Sequence, residues 1–198
     1  MFMINVVILI YFTLRTIDKL LKIHNLNIFD VSLSPISGGA WTVYFSKENK
    51  NKSSDLLKAQ KSQNEMKLNL KKSWIQFSKI AEKHSIDLKN LVLNEVNSNG
   101  KIIAYGASAR SSTILNYSGI NSDHISMIID KNPLKHGLLT AGSNIPIVSF
   151  EEGLEYIEGV DILLLLAWNF KDEIINELRM SGFKGKFIIP LPENPYML

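Results

Sequence analysis

The chain contains no cysteine. Disulfides and thiolate-ligated metal centres are thereby excluded, and a reducing, cytoplasmic setting is expected. Histidine is scarce too: His24, His84, His124 and His136 stand far apart without ligand spacing, so no metal site is expected. Apolar runs long enough to cross a membrane are missing. The opening run, Met1 to Phe12, would span about 18 Å as a helix against roughly 30 Å of hydrocarbon. No basic residue precedes it and no small-residue cleavage site follows, so neither a membrane span nor a secretory signal is expected. It reads instead as a buried strand or as an exposed edge seeking a partner strand.

Neither sign of charge dominates, and the 21% of charged residues is ordinary for a globular chain. Lysine and arginine total 22 against 19 acids, for a net charge of +3. The excess is local, because Lys47 to Glu95 carries eleven lysines and six acids, net +5, which leaves −2 elsewhere. The lysines are interrupted by Glu65, Glu82 and Asp87, and Trp74 and Phe77 fall on the apolar stripe rather than among them. That is the pattern of a solvated helix face, and no nucleic-acid partner is expected.

What is present centres on Lys101 to Tyr117. The apolar run Ile102 to Tyr105 suits a buried strand, and it breaks at Gly106. Ala107, Ser108 and Ala109 then lead past Arg110 into a helical pattern. Strand, tight turn and helix start form the first half of a nucleotide-binding βαβ unit. Backbone N–H groups at such a helix start have no intrahelical partner and can hold a phosphate. Arg110 could add a forked cationic donor, and Ser108, Ser111 and Ser112 could add hydroxyls. The turn has one glycine where a dinucleotide fingerprint has three. On this pattern alone, a glycine that merely permits a sharp turn is the leading reading.

A second apolar run, His124 to Ile129, ends in Asp130, 24 positions after Gly106. An acid there is placed to meet ribose hydroxyls, or only to cap the next turn. Lys135 could approach a pyrophosphate or remain a solvated loop lysine. Asp161 to Leu166 is a further apolar run and leads into Trp168 and Asn169. Trp168 could stack on a base or sugar or belong to the core. Asn169 is first a helix cap and second a ligand contact.

The motifs Tyr105-Gly-Ala-Ser-Ala-Arg110, Leu115-Asn-Tyr117, Asp130-x-Asn-Pro-x-Lys135-x-Gly137, Gly142-x-x-Ile-Pro-Ile147 and Trp168-Asn169 with Glu173-Ile174 resemble the C-terminal domain of sugar C-methyltransferases. The resemblance is close from Lys101 to about Pro192 and looser over Tyr11 to Phe45. It implies methyl transfer from S-adenosylmethionine to a carbon of a nucleotide-linked keto-deoxysugar. By resemblance, Tyr105, Gly106, Ala107, Ser108, Ala109, Arg110, Asp130, Lys135, Trp168 and Asn169 bind that substrate. The chain departs from the family in three places. A His-Glu-His-like cluster is replaced by Val6-Val7-Ile8, and the histidine before the double glycine is Ser37. Apolar side chains cannot move protons, so no catalytic residue is assigned. A proline of the family is Ala141 here. Nothing before residue 100 resembles the glycine-rich donor loop, and the family's cysteine-rich zinc segment has no counterpart. The sequence therefore reads as the C-terminal half of a longer enzyme, with no cofactor expected for this chain alone.

The remaining elements follow from local signals. Thr13 caps a helix to about His24, Asn27 to Leu33 is a strand, Gly38-Gly39 turns, and Trp41 to Phe45 returns. One helix is predicted from Asp55 to about His84 and a shorter one from Asp87 to Asn97, closed at Gly100. Strands are predicted at 101–105, 124–129, 146–148, 161–166 and 186–189. Ser149 to Glu152 reads as a capping box, and Asn169 is expected to cap a helix ending at Ser181. Strands alternating with helices give an α/β, Rossmann-like parallel sheet of order 3-2-1-4-5 over residues 99–198. Residues 1–50 read as a β-hairpin remnant of a methyltransferase domain and 51–98 as a helical linker. The expected function is the nucleotide-sugar-binding part of a C-methyltransferase, inactive alone. The alternative is a non-catalytic nucleotide or nucleotide-sugar module. The expected partners are a nucleotide-linked sugar, a separate methyl-donor domain, or a second copy through Met1–Phe12. An independent nicotinamide oxidoreductase is disfavoured by the glycine-poor turn.

Overall fold

Ile102, Ile103, Ala104 and Tyr105 are all buried, which requires helices on both faces of their sheet. In a computed structural model, which describes residues 12–34, 39–100, 102–157 and 159–198, that is what surrounds them. The opening run through Tyr11 and the positions Ser37 and Gly38 lie outside the described residues. The chain forms two compact units, Met1–Ile80 and Ala81–Leu198.

In the second unit, β3 (Ile102–Tyr105), β4 (Ile125–Ile129), β5 (Ile147–Val148), β6 (Ile162–Leu165), β7 (Lys186–Ile189) and β8 (Tyr196–Met197) make one sheet. Its order is β5-β4-β3-β6-β7-β8. All pairs are parallel except β7 with β8. The antiparallel edge β8 is an element that sequence reading did not anticipate: two residues after a proline-rich stretch carry no periodicity. Side chains alternate between the two faces, as strand geometry demands. Ile102, Ala104, Ile128, Ile162, Leu164 and Ile188 pack with Leu88 and Val92 of α3 (Lys71–Asn99) and Ile114 and Leu115 of α4 (Ala109–Ser118). Ile103, Tyr105, Ile129, Leu163, Leu165 and Phe187 pack with Ile157 of α5 (Phe150–Ile157) and Ile174 and Leu178 of α6 (Lys171–Met180). Connections leave β3 and β6 toward opposite edges, so a crevice opens at their carboxyl ends.

The first unit is built on α1 (Leu14–Ile23), the antiparallel hairpin β1 (Asn27–Ser34) and β2 (Ala40–Ser46), and α2 (Ser54–Glu65). Thr13 caps α1 through a reciprocal capping box with Thr16. Leu14, Ile28, Val31, Leu56 and Ala59 form the small core. Leu33, Trp41, Tyr44 and Phe45 of the hairpin remain exposed.

The helices differ from expectation. Instead of one helix over Asp55–His84 and another after it, the break falls at residues 66–70, and α3 runs unbroken to Asn99. Lys67 adopts a left-handed φ of 55°. The Ser73 hydroxyl and the Trp74 indole N–H donate to the carbonyls of Lys67 and Leu68, which holds the corner. Ser85, just past the helix end expected at about His84, donates its hydroxyl back to the Glu82 carbonyl and stays helical. Of two further expectations, one holds and one changes. The Ser149 hydroxyl accepts from the Glu152 amide at 3.0 Å and so caps the start of α5. Asn169 does not cap α6, whose N-cap is Phe170 without a side-chain bond.

A lysine at positive φ is strained by roughly 1–2 kcal/mol. Lys67→Gly should therefore stabilise the first unit by about 0.5–1 kcal/mol in urea unfolding followed by circular dichroism. A continuous helix would give the opposite sign, a loss of about 1 kcal/mol.

Candidate functional site

The crevice begins at the end of β3. The Tyr105 carbonyl accepts from the amides of Leu166 and Ala167 at 2.9 and 3.2 Å, which joins β3 to the loop after β6. Gly106 has φ +97°, and a Cβ built on it would stand 2.6 Å from the Ala167 Cβ. Glycine is thus required twice here, for conformation and for the close approach of two loops. The Gly106 amide continues to the Ile129 carbonyl at 2.8 Å.

The next amide, of Ala107, donates to Asp130 Oδ2 at 2.7 Å. Lys135 Nζ donates to the same oxygen at 3.0 Å, and the Asn132 amide donates to Oδ1 at 2.9 Å. Asp130 is therefore fully engaged within the protein, at the place sequence reading gave to ribose. Burial would raise its pKa, but the Asn132 amide, the Lys135 ammonium and the Ala107 amide outweigh it and hold the carboxyl below its ordinary value. Lys135, in the 3-10 turn Pro133–Lys135, is turned toward Asp130. His136 Nε2 donates to the Asp130 carbonyl at 2.7 Å and fixes the same turn.

Ser108 and Ser111 cap α4 reciprocally, and their hydroxyls lie 2.8 Å apart. Ser111 is fully buried, so these hydroxyls serve the helix start first. The amides of Ala109 and Arg110 in the first turn have no partner among the described residues. The exposed guanidinium of Arg110 lies 5.6 Å from the centre of the Trp168 ring. Trp168 and Asn169 occupy the 3-10 turn Trp168–Phe170 that follows β6. The structure thus brings Arg110 and Trp168 together across the switch point and leaves Asn169 exposed beside them.

A cleft of about 380 Å³ opens at the carboxyl ends of these strands, lined by Tyr105, Gly106, Asp130, Lys131, Ala167, Phe170, Glu173, Ile174 and Glu177. Of these, Lys131, Ala167, Phe170 and Glu177 were not singled out in the sequence. The available signal was the spacing of Glu173 and Glu177, four apart on one helix face. Lys131 Nζ meets Glu177 Oε1 at 2.5 Å and lies 5.4 Å from the Phe150 ring centre. Tyr105 donates its hydroxyl to Glu177 Oε2 at 3.5 Å. Burial, and then the Glu177 carboxylate, push the Tyr105 pKa far up, so it remains a donor. Among the described residues, no group of three His, Asp or Glu side chains converges as a metal site, and no helix is long and apolar enough to cross a membrane.

The depressed Asp130 carboxyl has a measurable consequence. Its stabilisation is present above the unfolded value near about pH 4 and is lost as pH falls through the folded value. Asp130→Ala should cost about 2–3 kcal/mol near pH 7, and less as the pH falls below about 4. Urea unfolding across that range checks it; a penalty independent of pH would contradict the ion-paired arrangement.

Comparison with known proteins bears on this architecture. Residues 35–192 match the family model described as the C-methyltransferase C-terminal domain. The chain is 30% identical over 189 residues to the C-methyltransferase NovU of Streptomyces niveus, a match covering 92% of this chain and 44% of NovU. The chain thus spans less than half the length of that relative. The family match takes in the hairpin strand β2, helices α2 to α6 and nearly all of the crevice-bearing sheet, and on that extent the chain belongs to the C-methyltransferase C-terminal domain family.

Proposed function

We propose that this chain is the nucleotide-sugar-binding part of an S-adenosylmethionine-dependent C-methyltransferase acting on a nucleotide-linked keto-deoxysugar, and that it works with a separate methyl-donor domain. The observation that carries the binding role is the Arg110 guanidinium, held at the switch point beside the unpartnered Ala109 and Arg110 amides. One forked cation and two helix-start amides are suited to the oxygens of a diphosphate. The described residues do not fit the methyl donor itself. The turn after β3 is closed by the packing of Gly106 on Ala167, and its acid, Asp130, is spent on Ala107 and Lys135. No methyl-transfer step is therefore assigned to these side chains, and the chain alone is proposed to be inactive. In this reading S-adenosylmethionine would supply the methyl group from the partner domain, while this chain orients the sugar nucleotide. Its setting is proposed to be the cytoplasm, a reading supported by the absence of cysteine.

The second reading, a non-catalytic nucleotide or nucleotide-sugar module, is favoured by one feature. The ionisable groups at the crevice are largely satisfied by one another, Asp130 with Lys135 and Glu177 with Lys131 and Tyr105. Such groups bind and orient rather than transfer protons. Addition of a donor-binding domain from a relative separates the two readings: methyl transfer appearing only in the mixture supports the first.

Charge-assisted contacts contribute roughly 1.5–3 kcal/mol each, so Arg110→Ala should weaken a nucleotide sugar by about one to two decades in calorimetry. Unchanged affinity would remove Arg110 from the site. The apolar run Met1–Phe12 is proposed as a surface for a partner strand or for self-association, a reading supported by the exposed Leu33, Trp41 and Phe45 of the same unit. Deleting residues 1–10 should then convert an associating chain into a monomer in light scattering. A monomer before and after deletion contradicts that role.

A further inference from the structure

We infer that Trp168 is a positioning residue for Arg110, not a stacking platform for a nucleobase or sugar. This deepens the diphosphate reading of the crevice and rests on it. Arg110 projects from the first turn of α4 and is exposed. It forms no ion pair or side-chain hydrogen bond among the described residues, and its guanidinium lies over the Trp168 ring, 5.6 Å from guanidinium carbon to ring centre. A free arginine on a helix surface samples many rotamers and must lose them when it grips an anion. Stacking on an indole removes part of that loss before any ligand arrives, while the planar fork keeps its N–H edge directed outward.

The indole is itself fixed to the turn that carries the arginine. Trp168 is half-buried, and its neighbour Ala167 donates its amide to the Tyr105 carbonyl at 3.2 Å. Ala167 also fills the space that a side chain on Gly106 would need. The β6 loop and the β3–α4 turn therefore form one braced piece, with Arg110 and Trp168 standing at its two sides. A base stacking on the Arg110 face of Trp168 would have to displace the guanidinium. Two roles that a sequence reading assigns separately, anion donor and aromatic platform, are here consumed in one contact.

The test uses the full chain with inorganic pyrophosphate and uridine diphosphate as probes. Trp168→Leu should weaken both by the same factor, about two- to five-fold. Trp168→Phe should restore most of that loss, and Arg110→Ala with Trp168→Leu should be no worse than Arg110→Ala alone. If Trp168→Leu weakens uridine diphosphate but spares pyrophosphate, the ring stacks on the base and the inference is overturned. Additive losses in the double variant overturn it too. A ligand-free measurement stands independently. The chain has three arginines, Arg15, Arg110 and Arg179, so the Arg110 Nε–H resonance is readily assigned. It should be ring-current shifted, move to an ordinary position in Trp168→Leu, and stay shifted in Trp168→Phe. No movement in the leucine variant removes the stack. If neither probe binds the native chain, the diphosphate reading fails, and the resonance alone decides the Arg110–Trp168 pairing.

Discussion

At the carboxyl ends of β3 and β4 one carboxylate, Asp130, gathers an amide from the β3–α4 turn, an ammonium from the loop after β4 and an amide from its own turn. Everything that defines the crevice hangs on this junction. The Ala107 bond sets the direction in which the chain enters α4, and so where the Ala109 and Arg110 amides point. The Lys135 pair anchors the 3-10 turn and, through His136, closes the loop back on the Asp130 carbonyl. A charged acceptor in a half-buried setting makes each of these bonds stronger than a neutral one would be. Without it, the first amide of the turn would be open to an incoming phosphate. With it, the open donors begin two residues later.

That displacement sets this crevice apart from a dinucleotide-binding site. A dinucleotide site uses its glycines to let the pyrophosphate touch backbone and its acid to hold ribose. Here Gly106 is filled by Ala167, and the acid turns inward to the protein. The sheet keeps the switch-point architecture while its loops are closed on each other, leaving an arginine, two amides and a flanking cleft. Membership in the C-methyltransferase C-terminal domain family accords with this arrangement, since fold alone does not dictate the ligand.

Much of the sheet was legible because its strands are buried on both faces and therefore read as unbroken apolar runs, Ile102–Tyr105 and Ile162–Leu165 above all. The caps were legible where a hydroxyl precedes a periodic stretch, as at Thr13 and Ser149. The break at Lys67 was not, because no glycine or proline marks it; it depends on Ser73 and Trp74 reaching back to carbonyls, a contact made only in three dimensions. At the site, residue types were legible and their partners were not. Asp130 and Lys135 both stood out, but nothing in a linear string says they satisfy each other. The same holds for Arg110 and Trp168, which lie 58 positions apart, and for Lys131 with Glu177, whose pairing requires β4 and α6 to meet at one end of the sheet.

The most direct test is an amide-resolved NMR titration of the full chain with a nucleoside-diphosphate sugar. The account predicts the largest shifts at the Ala109 and Arg110 amides, with the Ala107 amide remaining at the downfield position of a charge-assisted bond to Asp130. A response centred on Ala107, with the Asp130 bond released, or one confined to residues away from the β3–α4 turn, would contradict it.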